Sequence, residues 1–120
     1  ELSRIMLAVK RALADRAATA YTSVFDEVDS GIGGATAEVV GRKLFEVART
    51  RQVICITHLP QIASFGGRHF AVTKRVVKGR TVADVELLSS EARTEEIARM
   101  LGGERITETT RQHAREMLKK

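Results

Sequence analysis

The segment YTSVFDEVDSGIGG, residues 21–34, decides how this chain folds. Its first five residues, Tyr21 to Phe25, are rich in β-branched and aromatic side chains, which suits a short buried strand. That run stops abruptly at three acids, Asp26, Glu27 and Asp29, and Gly31, Gly33 and Gly34 then break regularity. Ala35 to Arg51 resumes a helical pattern through Val40, Leu44, Val47 and Ala48, and Val53 to Thr57 is a second apolar run of strand length. Strand, helix, strand in this order predicts two parallel neighbours joined by a right-handed crossover. Both strands then end on one edge of one sheet, and that edge carries Asp26, Glu27 and His58.

Toward the N-terminus, Leu2, Ile5, Met6, Val9 and Leu13 recur at helical spacing, with Arg4, Lys10, Arg11 and Asp15 between them, so an amphipathic helix is expected before the small-residue stretch Ala17 to Ala20. Toward the C-terminus, Pro60 bars the second strand from continuing and can open a short helix through Ile62 and Ala63, ending near Gly66 and Gly67. His69 to Val77 and Thr81 to Leu88 read as a hairpin around Lys78, Gly79 and Arg80. Glu91 to Leu101 reads as a helix stopped by Gly102 and Gly103, and Thr107 can cap a last helix carrying Ala114, Met117 and Leu118. The expected class is α/β: parallel strands with flanking helices, then a C-terminal β-hairpin and helices.

At 120 residues and 43% hydrophobic, with no apolar run near the length a bilayer needs, the chain reads as one soluble unit with room for one core. It starts at Glu1 without an initiator Met or a leader-like segment, as expected of a piece from inside a longer cytoplasmic protein. Its single cysteine, Cys55, lies in the apolar run Val53 to Ile56 and reads as a packing residue. Lys and Arg number 20 against 15 Asp and Glu, a net charge of +5. The positive charge clusters at Lys74, Arg75, Lys78 and Arg80 and at Lys119 and Lys120, where a solvated surface is the plain reading and a polyanion contact the other.

Ligands of open α/β sheets bind outside the carboxyl ends of the strands, where this sequence places two adjacent acids and, one strand over, a histidine. The arrangement suits phosphoryl transfer. Asp26 can order Mg²⁺ through water, Glu27 can face an attacking water as general base, and His58 can donate to a γ-phosphate oxygen. Each also has a plainer explanation, since acids at strand ends cap turns and a histidine before Leu-Pro is commonly a turn or surface residue. Convergence on one edge is what favours the chemical reading. The glycines are not a dinucleotide fingerprint, because Asp26 to Ser30 would set like charge against a pyrophosphate. They form either a flexible helix entry or a bare loop that a second subunit can approach closely. No Gly-Lys pair occurs in the sequence, so a GxxxxGK[ST] phosphate loop must come from elsewhere.

ELSRIMLAVK, SVFDEVDSGIGG and ITHLPQIA, in that order, with EEIARMLGG behind them, resemble the second half of an ABC-type ATPase head of the SMC and RecN class, across almost the whole chain. The resemblance implies the C-terminal lobe of a P-loop NTPase-like head over residues 1–120. It makes Asp26 the Walker B acid, Glu27 the catalytic base, Asp29 with Ser30 the D-loop and His58 the switch histidine, with Gln61 assisting nearby. Glu1, Leu2 and Ser3 would be the remnant of a signature motif whose other residues precede them. ATP and Mg²⁺ are the implied ligands. The implied partners are the N-terminal half of the same head, which carries Walker A, and a second head in an ATP-sandwiched homodimer. The whole protein would meet DNA in double-strand break repair and recombination, in the cytoplasm at the nucleoid and without a membrane.

Two other readings compete. One is a non-catalytic dimerisation or DNA-contact module whose acids merely cap turns. The other is the nucleotide-binding domain of a different ABC-type ATPase, including a transporter, against which SGIGG argues by resemblance.

Overall fold

The structure is a computed structural model that describes Ile5, Ala8 and residues 21–120. Ile5 and Ala8 are helical and exposed, while the rest of the expected first helix, Ser3 included, lies outside the described residues. The chain forms two compact units, Glu1–Phe65 and Gly66–Lys120.

In the first unit, β1 (Thr22–Asp26) pairs in parallel with β2 (Gln52–Ile56), with Val24 opposite Ile54 and Asp26 opposite Ile56. Between them runs helix α1 (Gly34–Ala48), as the strand–helix–strand pattern predicts. Alternation decides which face of β1 is buried: Ser23 and Phe25 point inward and Val24 outward. The inward face of α1 carries Ala37, Val40, Gly41, Leu44 and Val47 at three- and four-residue spacing. Phe25, Val28, Ala37, Val40, Leu44 and Ile62 form the core, with Ile32, Val53, Cys55 and Leu59 packed against it. The single turn of helix α2 (Pro60–Ala63) begins with Pro60, whose missing N–H costs nothing at a helix start. It lies so close to α1 that a Cβ on Gly41 would stand 2.5 Å from the Phe65 ring and 3.1 Å from the Gln61 carbonyl oxygen. Glycine is therefore required for the approach.

Helix α1 stops three residues before the expected Arg51. The main chain turns at Arg49 and Thr50 to enter β2, and Arg51 is buried with its guanidinium 4.2 Å from the centre of the Tyr21 ring. Pairing with β1 from Gln52 onward outweighs further helix.

The second unit holds an antiparallel hairpin of β3 (Phe70–Val77) and β4 (Arg80–Leu87). Its two turn residues, Lys78 and Gly79, have φ of 48° and 74°, the positive angles a tight right-twisted hairpin needs. Arg80, expected in the turn, is the first residue of β4. Helices α3 (Ser90–Gly102) and α4 (Glu108–Leu118) pack together, with Ile97, Ala98 and Ala114 wholly buried. Ser89 caps α3 by accepting from the Ala92 N–H, and Thr107 caps α4 by accepting from the Thr110 N–H, the latter as its sequence position predicts.

Each sheet has an apolar face without cover among the described residues. On the first it is Val24, Ile54 and Ile56, and on the hairpin Phe70, Val72, Val85 and Leu87. Parallel strands are ordinarily buried on both faces. No helix among the described residues is long and apolar enough to cross a membrane.

Candidate functional site at the ends of two parallel strands

Parallel pairing in register brings the carboxyl ends of β1 and β2 to one edge, and every candidate residue of the first unit except Ser3 and Gln61 lies at the end of β1 or in the turns that follow the two strands. Asp26 is the last residue of β1 and is exposed. Glu27, also exposed, takes a left-handed conformation, φ 56°, which costs a side-chain-bearing residue about 1–2 kcal/mol. The turn holds it there: the Glu27 carbonyl accepts from the Ser30 N–H at 3.2 Å, and the buried Val28 anchors the loop in the core. Ser30 is exposed.

Asp29 points the other way. Its carboxylate is buried, and a single oxygen, Oδ2, accepts from the Thr57 hydroxyl at 2.6 Å and from the His58 main-chain N–H at 2.8 Å. The same oxygen lies 2.9 Å from Nδ1 of the His58 ring. Burial by itself pushes this carboxyl up. The hydrogen bonds from Thr57, from the His58 main chain and from its own N–H, with the imidazole alongside, outweigh burial and hold it below its ordinary range. The Thr57 hydroxyl in turn accepts from the Leu59 N–H at 3.0 Å, which sets the chain for Pro60 and α2. Thr57 was not picked out from the sequence. A hydroxyl residue two positions before a Leu-Pro helix start was the available signal.

Asp29 and His58 are thus in direct contact, and Asp26 and Glu27 share their edge. Gln61 lies half-buried in α2, with its carbonyl accepting from the Ser64 hydroxyl. Cys55 is half-buried beneath the site. Burial, then the negative charges of Asp29 and Asp26, push its thiol up to about 11, so it stays protonated and serves packing.

Among the described residues no group of three or more His, Cys, Asp or Glu side chains converges on a point. Mg²⁺, which keeps most of its waters and takes one or two carboxylates with substrate phosphates, fits the exposed carboxylate of Asp26.

No family model matches the chain. Among curated proteins it is 52% identical over 118 residues to the DNA repair protein RecN of Deinococcus radiodurans, covering 98% of this chain and 20% of that protein. It is 49% identical over 118 residues to RecN of Xylella fastidiosa strain Temecula1, covering 98% of this chain and 21% of that protein. To RecN of Bacillus subtilis strain 168 it is 40% identical over 119 residues, covering 99% and 20%. The chain thus spans about one fifth of the length of these relatives. A solved structure from work on ATP-driven dimerisation and DNA-stimulated activation of SMC ATPases superposes with a TM-score of 0.64 at 19% identity, over 86% of this chain and 61% of that one. The chain belongs to the RecN family, as a segment about one fifth of its relatives' length whose fold is similar to part of that SMC structure.

Proposed function

We propose that this chain is the C-terminal part of an ATP-hydrolysing head, supplying the acids and the histidine of a half-site. The observation that carries the reading is the in-register parallel pairing of β1 with β2, which sets Asp26, Glu27 and His58 on one edge. Glu27 takes a proton from the water that attacks the γ-phosphorus as the bond to the bridging oxygen of ADP breaks. Its left-handed backbone holds its carboxylate at the exposed tip of the turn, beyond the end of β1. His58 donates to a γ-phosphate oxygen on which charge accumulates. Asp26 would hold Mg²⁺ through water, and the ion would supply charge neutralisation at the phosphates. Asp29 with Ser30 forms the loop that meets a second subunit, with Gln61 nearby and Ser3 the remnant of the signature motif.

The phosphate loop comes from the N-terminal half of the same head, whose remaining strands and helices cover the bare face of Val24, Ile54 and Ile56. This chain alone is inactive for want of that loop. Two heads sandwich ATP, binding closes them and hydrolysis opens them. The whole protein acts in DNA repair, as its relatives' name suggests, and the resemblance of its motifs implies work at double-strand breaks and in recombination, in the cytoplasm at the nucleoid.

The test is Glu27→Gln in the complete protein. A positioned general base contributes roughly 10²–10⁴ in rate, so turnover drops by that order while ATP binding persists. Hydrolysis at the parental rate would refute the assignment.

A further inference from the structure

The contact between Asp29 and His58 has a geometry that the hydrolysis reading leaves without a role. The Asp29 side chain is 5% exposed, whereas that of His58 is 77% exposed although its Nδ1 is only 2.9 Å from the buried oxygen. That oxygen already accepts two other hydrogen bonds, from Thr57 and from the main chain of His58 itself. An ionised carboxylate is an acceptor only, so the hydrogen between it and the ring belongs to Nδ1. Carboxylate partners orient imidazoles in this way at metal sites and catalytic triads, by choosing the tautomer and the ring plane.

We infer that Asp29 is the positioning residue of His58: its buried carboxylate locks the ring with Nδ1–H inward, leaving Nε2 as the nitrogen open to a phosphoryl group. The inference rests on the hydrolysis reading for its consequence, though not for its geometry. Asp29 follows β1 and His58 follows β2, so this one oxygen also ties the turn that carries Glu27 to the turn that carries the imidazole. A ring held this way donates through Nε2–H only when it carries both protons. The carboxylate beneath it is then the counter-charge of that form. Asp29 thus acts on the nucleotide through His58 rather than by a contact of its own.

Two readouts test the role in the complete protein. With ¹⁵N-labelled histidine, the His58 ring reads as Nδ1-protonated, and Asp29→Ala moves it to the Nε2–H tautomer. Asp29→Asn keeps an acceptor oxygen for Thr57, the His58 amide and Nδ1–H, so it spares the turn and removes the counter-charge of the doubly protonated ring. It lowers kcat for ATP by about 10- to 100-fold, the usual loss when a histidine's orienting partner is replaced. KM changes by less than about 3-fold, and in a His58→Ala background Asp29→Asn costs less than about 2-fold more, because the two residues act as one unit. A wild-type ring carrying its proton on Nε2, or losses from Asp29→Asn and His58→Ala that multiply, overturns the positioning role. The ring spectrum needs no turnover. Parental ATPase in Glu27→Gln alongside an Nδ1–H ring would therefore sink the hydrolysis reading and leave the Asp29–His58 bond standing.

Discussion

Thr57→Val removes one hydroxyl from the centre of the site and nothing else, since valine keeps the shape of threonine. In the structure that hydroxyl donates to the Asp29 carboxylate at 2.6 Å and accepts from the Leu59 N–H at 3.0 Å. A hydrogen bond to a charged group contributes about 1.5–3 kcal/mol, and a half-buried amide left without an acceptor costs a further fraction. Better burial of the valine methyl offsets part of this loss, so the net local cost is about 2 kcal/mol. That cost falls on the turn from Thr57 to Pro60 rather than on the whole chain. The assay is hydrogen exchange at single amides, which reads local opening. At about 1.4 kcal/mol per decade, the Leu59 amide exchanges roughly 30-fold faster in the variant. The Arg93 amide, bound to the Ser89 carbonyl at 2.8 Å in the other unit, is the internal control and does not change. Leu59 exchange within about 3-fold of the parent, under conditions where the opening equilibrium sets the rate, refutes the argument that the Thr57 hydroxyl links Asp29 to the start of α2.

Two further outcomes are expected. The Asp29 carboxyl is lower in the folded chain than its ordinary 3.8, so its stabilisation is fully present above that value and is lost as pH falls through the lowered folded one. The stability difference between the parent and Asp29→Asn, measured by urea unfolding, is therefore largest near neutrality and shrinks below about pH 4, and a difference that grows on acidification contradicts the assignment. Gly41→Val places a branched side chain where one Cβ already stands 2.5 Å from Phe65, so it destabilises the chain by about 2–3 kcal/mol despite removing a helical glycine. An unchanged urea midpoint would mean that α1 and α2 do not approach as closely as described.

The strand–helix–strand order was legible because each segment announces itself locally. Tyr21 to Phe25 and Val53 to Thr57 are apolar and of strand length, and the helix between them repeats its apolar residues at helical spacing. From that order alone, handedness and chain connectivity place Asp26, Glu27 and His58 on one edge, and the parallel register of Val24 with Ile54 agrees. The Thr107 cap and the helix opened by Pro60 were legible for the same reason, since caps and proline act within a turn of where they stand. The end of α1 at Ala48 was not, because it depends on where β2 begins to pair with β1, and the helical pattern runs on to Arg51 without a stop signal.

Composition and spacing by themselves determined the mixed α/β character, the strand–helix–strand order and the acids and histidine that share one strand edge. Only the tertiary structure decided which of those acids faces outward and which inward. Glu27 is turned out by a left-handed backbone, while Asp29, two residues on, is turned in to meet Thr57 and His58, 28 and 29 residues away in the chain. Such a contact is long-range, and its partners become neighbours only once the sheet has formed. Burial and hydrogen bonding then set the charge of Asp29, and no local pattern of residues encodes either.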